Sequence, residues 1–274
     1  MRRDSPPRRR YREGMEFAEG WDTVATLVGG RWVERRPRRP DVAEQLLRET
    51  RLMPWLAPRL PLPVPVPEVA GHDPLVVRHA LVPGRALESP DARAGFAIGR
   101  FLRALHDCPA ATAVEHAAAP PAETHRTRAE TLDRFRVDVV PLLPRPDRAA
   151  ATALLAAARD LPADTLVHGD LGPEHILVDA GRVSGVIDFG DVHIGDPAVD
   201  LAWALHGTPA EFAAAVATAY RVTDELRRRA SVWHRLGPWH EVIHGLDTGV
   251  DDYVRSGLTG LRERLSPVDQ PRKR

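Results

Sequence analysis

The chain has 274 residues, 38 basic against 38 acidic side chains, and a single cysteine, Cys108. Zero net charge argues against a protein that holds nucleic acid by bulk charge, and one cysteine excludes a disulfide framework or a cysteine-based zinc site. The basic start MRRDSPPRRRYR has no apolar stretch behind it, so it does not read as a secretory signal, and no run nears the roughly 18 apolar residues of a membrane span; a reducing, cytoplasmic setting fits.

In chain order, residues 1–12 are rich in Pro and Arg and are expected to be disordered. Thr23 to Val28 and Arg31 to Arg36 flank Gly29-Gly30 and predict a β-hairpin. The segment DVAEQLLRETRLM, 41–53, places Val42, Leu46, Glu49 and Met53 on one face and predicts a helix, capped by Asp41 and ending before Pro54. Alternating prolines in LPLPVPVPEV, 60–69, forbid helix and predict an extended edge segment. LVVRHALV, 75–82, reads as a strand stopped by Pro83-Gly84. Ser89-Pro90 then predicts a capped helix start, with Ala94, Ile98, Phe101, Leu102 and Leu105 on one apolar face. More helix is expected over roughly 123–160, and again from Asp196 onward. Between them, 166–188 reads as short strands around a turn at Asp179-Ala180-Gly181.

The polar stretch HGDLGPEHIL, 168–177, runs directly into one of those strands, and DFGD, 188–191, closes its partner. A hairpin over 176–187 brings Asp170, His175 and Asp188 to one end. Two carboxylates and an imidazole facing one pocket can hold a divalent cation. They also suit phosphoryl transfer, in which one carboxylate orients the attacking hydroxyl while the other helps hold magnesium on the nucleotide phosphates. GDPAVD, 195–200, follows, with Asp196 placed to cap the next helix.

The string VHGDLGPEHILVD, continued by GVIDFGDVHIGDPAVDLA, resembles the aminoglycoside phosphotransferases. GWDTVATLVGGRWV is similar to their opening hairpin and LPLPVPVPE to their lead into the lobe connector. The resemblance implies an α+β, two-lobed protein-kinase-like fold. A small β-rich lobe, 13–80, would bind nucleotide. A larger, mainly helical lobe, 81–265, would carry catalysis and the acceptor, with 266–274 as a tail. It further implies ATP or GTP as phosphoryl donor, magnesium as cofactor, and a small hydroxylated acceptor, foremost an aminoglycoside. No nucleic-acid or membrane partner is expected. Asp170 becomes the base or hydroxyl-orienting residue, His168 the support of its loop, and Asp188 a magnesium ligand. His175 stands where the family usually carries a metal-binding Asn; the branch that modifies the 2''-hydroxyl also carries His there, and the resemblance makes His175 a magnesium ligand beside Asp188.

Two departures follow from composition. The chain has no asparagine, and its one lysine is Lys273. In WVERRPRR, 32–39, the resemblance puts Arg35 in the place of the family's phosphate-binding lysine, with Glu49 as its partner. The glycine-rich loop is reduced to Glu19-Gly20-Trp21-Asp22. Each position has a plainer alternative. Asp170 and Asp188 can cap turns, His168 and His175 can be packed loop residues, and 35–39 can be a solvated basic run. Glu241, Asp247, Asp251 and Asp252 suit a polycationic acceptor or are ordinary surface charge, and Trp233 and Trp239 are expected in the core. The rival activities are a kinase for a macrolide or another hydroxylated metabolite, a degenerate nucleotide-binding protein, and a His/Asp metal hydrolase.

Overall fold

The computed structural model describes residues 23–265. It has a β-rich N-terminal region and a mainly helical remainder, the α+β organisation expected. The chain divides into two compact units. One comprises the chain up to Leu87, Glu115–Ala118 and Pro173–Asp191; the other comprises the remaining residues.

The first unit is built on an antiparallel sheet of order β1-β2-β4-β3: β1 (Thr23–Val28), β2 (Trp32–Pro37), β3 (Glu68–His72) and β4 (Leu75–Ala80). The β1–β2 turn uses Gly29 and Gly30 at φ 59° and 62°, a left-handed pair that residues with a Cβ rarely adopt. Side chains alternate along a strand, so Val33 and Arg35 share one face of β2 and stand opposite His79 and Val77 of β4. Val77 on that face packs with Val42 and Leu46 of α1 (Pro40–Leu56).

α1 differs from expectation at both ends. Pro40 opens it, where a missing N–H costs nothing, and Asp41 lies inside its first turn, leaving no side-chain cap. It also runs through Pro54, held by Met53 and Leu56, which are both fully buried. The proline-rich segment becomes edge strand only from Glu68, and β4 ends at Ala80, two residues early. A second sheet in this unit, β5-β7-β8, consists of β5 (Arg85–Ala86), β7 (Ile176–Asp179) and β8 (Arg182–Val186).

In the second unit α2 (Ala92–His106) is capped by Asp91, whose carboxylate accepts from Ala94 N at 2.7 Å, and not by Ser89. Two glycines on its buried face, Gly95 and Gly99, let it lie close to α7 (Ala210–Tyr220); a Cβ at either would collide with backbone or Cβ atoms of α7. The helical stretch expected over 123–160 is broken. α3 (Ala110–Glu115) and α4 (Pro121–Arg134) lead into a π turn at Phe135–Val139, and α5 (Arg148–Arg159) begins after Pro141 and Pro144. β6 (Thr165–Val167) pairs with β9 (His193–Gly195), a short strand the sequence pattern did not signal. α6 (Ala198–His206), α8 (Asp224–Thr248) and α9 (Asp251–Leu265) complete the unit. Trp239, Phe135, Val242 and Leu261 lie in its main core, as expected for Trp239. Trp233 is only half-buried against that core.

Candidate functional site

In the first unit Arg35 and Glu49 meet as expected. Arg35 Nη1 donates to Glu49 Oε2 at 2.6 Å, with the side chains 14% and 4% exposed. Strand alternation turns Arg35 onto the face that packs on α1, and Glu49 follows Leu46 by three residues on the buried stripe of that helix. Burial pushes the Glu49 carboxyl above its usual range, although the charge and hydrogen bond of Arg35 pull it down. The other oxygen, Oε1, is sealed without a hydrogen-bond partner.

His175 and Asp188 are also brought together in this unit. Pro173–His175 forms a single 3-10 turn before β7, and Ile187 N donates to the His175 carbonyl at 2.9 Å, which ties the motif to the end of the neighbouring strand. His175 Nε2 then lies 3.5 Å from Asp188 Oδ2. Asp188 sits at φ 65°, a left-handed conformation that Asp tolerates better than most residues and that concentrates at functional sites. Asp188 also contributes to the raised Glu49 carboxyl, so the two acidic groups sense each other. Gln45 of α1 abuts Gly190, where a Cβ would strike its amide nitrogen.

The oxygen donor of this pair fits magnesium, which is commonly held by one or two carboxylates and fills its other positions with phosphate oxygens and water. Asp188 supplies such a carboxylate, and the imidazole nitrogen of His175, 3.5 Å from it, is a donor that magnesium takes less readily than oxygen. No group of three or more metal-ligating side chains occurs among the described residues.

In the second unit His168 and Asp170 lie in the loop after β6. His168 is fully buried, and its Nδ1 faces the Asp170 amide at 3.4 Å. The loop is held from α6 by Asp200, which is fully buried and accepts from His168 N at 2.7 Å and Gly169 N at 2.9 Å. His106 Nε2 also bonds Asp200 at 2.9 Å, and His106 Nδ1 meets the Tyr220 hydroxyl at 2.8 Å. Burial alone would raise the Asp200 carboxyl, but His106 and the positive potential at His168 outweigh it and hold the group below its usual range. Burial pushes the Tyr220 phenol well above its usual range, so the hydroxyl keeps its proton. His106 and Tyr220 were not found by sequence reasoning: they lie 94 residues from Asp200 and 114 from His106, respectively, with no motif around them.

Asp196 accepts from Ala198 N at 3.1 Å at the start of α6, the capping role expected for it. It also takes the Trp233 indole N–H at 3.0 Å and Arg229 at 3.2 Å. Of the acidic residues near the C-terminus, Glu241 accepts from Ser256, Asp247 pairs with Arg134 and Asp252 with Arg255. Asp251 lies in the first turn of α9. The stretch Glu19–Asp22 lies outside the described residues.

The model of the phosphotransferase enzyme family matches residues 13–239. A curated relative, viomycin phosphotransferase from Streptomyces vinaceus, is 47% identical over 73 residues, 24% of this chain and 25% of that protein. The chain spans less than two thirds of the length of the curated relatives it matches. Among solved structures, the GDP and kanamycin complex of APH(2")-IIia superposes with a TM-score of 0.80 at 24% identity, covering 91% of this chain and 92% of that one. A macrolide 2'-phosphotransferase from Brachybacterium faecium superposes with a TM-score of 0.71 at 24% identity, covering 96% and 92%. At these identities the structural likeness establishes the fold.

Proposed function

The chain belongs to the phosphotransferase enzyme family, and from that premise we propose that it moves the terminal phosphoryl group of a purine nucleoside triphosphate to a hydroxyl of a small molecule, foremost an aminoglycoside. The observation that carries this reading is the buried Arg35–Glu49 pair at 2.6 Å, which gives the first unit a fixed cation where a nucleotide phosphate needs one. Arg35 does with a planar fork what lysine does as a point charge. The pair also speaks against the plainer view of 35–39 as a solvated run.

In this proposal residues 13–80 bind nucleotide, while 81–265 carry the catalytic loop and acceptor site. Asp188 and His175 hold magnesium, which when bound neutralises charge on the phosphates. Asp170 takes or orients the proton of the acceptor hydroxyl, and His168 with Asp200 keeps its loop in place. Two viewpoints on the acceptor differ. The kanamycin in a neighbour's complex supports an aminoglycoside. The pairing of Glu241, Asp247 and Asp252 with donors of the same chain favours a second reading, an acceptor such as a macrolide that is not recognised by negative charge.

Nucleoside-diphosphate release, measured with magnesium over a panel of aminoglycosides, macrolides and basic peptide antibiotics, tests the proposal. Release stimulated by one class identifies the acceptor. Acceptor-independent background across the panel, with nucleotide still bound, would leave a nucleotide-binding protein without this activity.

A further inference from the structure

The Tyr220 hydroxyl, at the end of α7, has no part in the mechanism above. Along α2, Gly95, Gly99, Leu102 and His106 share one stripe. A Cβ at Gly95 would strike the Phe212 carbonyl of α7, and one at Gly99 the Val216 carbonyl and the Ala219 Cβ. Bare backbone at these two positions lets the helices approach closely. Further along the same contact His106 and Tyr220 meet edge to face, with ring centroids 5.4 Å apart. Tyr220 is 4% exposed and the His106 side chain 3%. The direction of each hydrogen bond between them follows from its ends. Asp200 is fully buried, and its carboxyl is held below the usual range, so it is ionised and can only accept. His106 Nε2, 2.9 Å away, therefore carries the ring proton. The phenol keeps its own proton, and among the described residues His106 Nδ1, at 2.8 Å, is the one hydrogen-bond partner of its oxygen. Tyr220 thus donates to Nδ1, and the imidazole is held at both nitrogens as its Nε2–H tautomer.

We propose that Tyr220 is a positioning residue for the reaction: by donating to His106 it fixes the imidazole that braces Asp200, and through Asp200 it sets the loop that carries Asp170. The inference rests on the reading above, in which Asp170 acts on the acceptor hydroxyl. Asp200 Oδ2 accepts from both His106 Nε2 and His168 N, while Oδ1 accepts from Gly169 N at 2.9 Å. A tilt of the imidazole therefore moves the oxygen that holds the loop. Without the phenol, Nδ1 is a buried acceptor with no donor, and the ring has to rotate or draw in water to satisfy it. Asp170 is two residues past His168, so slack at the two loop amides reaches its carboxylate. Misplacing a reacting group costs rate, whereas nucleotide affinity, carried by Arg35 in the proposed function, is untouched.

Tyr220→Phe removes the hydroxyl and keeps the ring that packs between α2 and α7. The full-length parent and this variant are compared by imidazole nitrogen NMR, amide hydrogen exchange, thermal melts, and phosphoryl transfer from ATP or GTP across the acceptor panel above. His106, identified by the signal lost in His106→Gln, should read as the Nε2–H tautomer in the parent. Exchange at His168 and Gly169 should speed up about tenfold in Tyr220→Phe, the scale of one hydrogen bond, with the core amides of Leu236 and Trp239 unchanged. The kcat should fall by about the same factor at an unaltered KM for nucleotide. An Nδ1–H tautomer in the parent overturns the proposal, as does unchanged exchange at both loop amides or an unchanged kcat. Exchange that accelerates equally at Trp239, with a lowered melting temperature, also overturns it, since the hydroxyl is then only structural. If the parent phosphorylates no acceptor in the panel, the phosphotransferase reading falls, and exchange at the two loop amides alone decides whether Tyr220 holds the loop.

Discussion

Replacing Arg35 with alanine leaves Glu49 as a carboxylate that is 4% exposed, with its cation gone. Two unit charges about 4 Å apart attract by about 4 kcal/mol at an effective dielectric of about 20. Breaking a buried pair by removing one partner costs about 3–5 kcal/mol. Arg35 keeps 14% of its side-chain surface in solvent, so the lower end applies and the loss at pH 7.5 is expected to be about 3 kcal/mol. The deficit should depend on pH in a defined direction. The Glu49 carboxyl already titrates above its usual value because of burial, and Arg35 is what restrains that rise. Without Arg35 the folded-state value climbs further. A carboxyl raised in this way contributes stability below its unfolded pKa and loses that contribution as the pH rises through the folded value. The deficit of Arg35→Ala against the parent should therefore shrink on acidification toward about pH 5. Adding Glu49→Gln should recover most of it at pH 7.5, since a neutral amide needs no cation. Urea unfolding of the three proteins at both pH values measures this. A deficit under about 1 kcal/mol at pH 7.5, or one that grows on acidification, would refute a buried electrostatic pair.

Asp170→Ala should lower single-turnover phosphoryl transfer by about two orders of magnitude or more while leaving nucleotide affinity intact; near-parental turnover removes Asp170 from the mechanism. His175→Ala should raise the magnesium concentration for half-maximal rate, and His175→Asn should restore it, because an amide oxygen suits magnesium at least as well as an imidazole nitrogen. An unchanged magnesium titration in His175→Ala returns His175 to a packing role. Asp200→Asn weakens the acceptor for His168 N, Gly169 N and His106, and should cost roughly 3 kcal/mol together with turnover. Because the Asp200 carboxyl is held below its usual range, its contribution is present above the unfolded pKa and is lost as the pH falls through the folded value. The variant's acid unfolding curve should then lack that component, which denaturation at stepped pH reads directly.

How much of this was legible depended on distance along the chain. HGD, DFGD and GDPAVD lie within 33 residues of one another, and a hairpin over 176–187 is enough to put His175 beside Asp188. Local spacing likewise placed Glu49 on the buried stripe of α1, and with no lysine near it the family resemblance put the phosphate cation at Arg35. Helix ends were less legible, because competing signals stand side by side. Pro40 displaced Asp41, Asp91 took the cap that Ser89 also offered, and buried Met53 and Leu56 carried α1 past Pro54. Only the tertiary structure decided what the network behind the catalytic loop would be. His106, Asp200 and Tyr220 belong to three helices, and nothing in the local pattern of any one of them specifies the other two. Periodicity and motif order act over a few residues and are written in the sequence; which buried polar groups find each other is fixed by how the helices and strands pack.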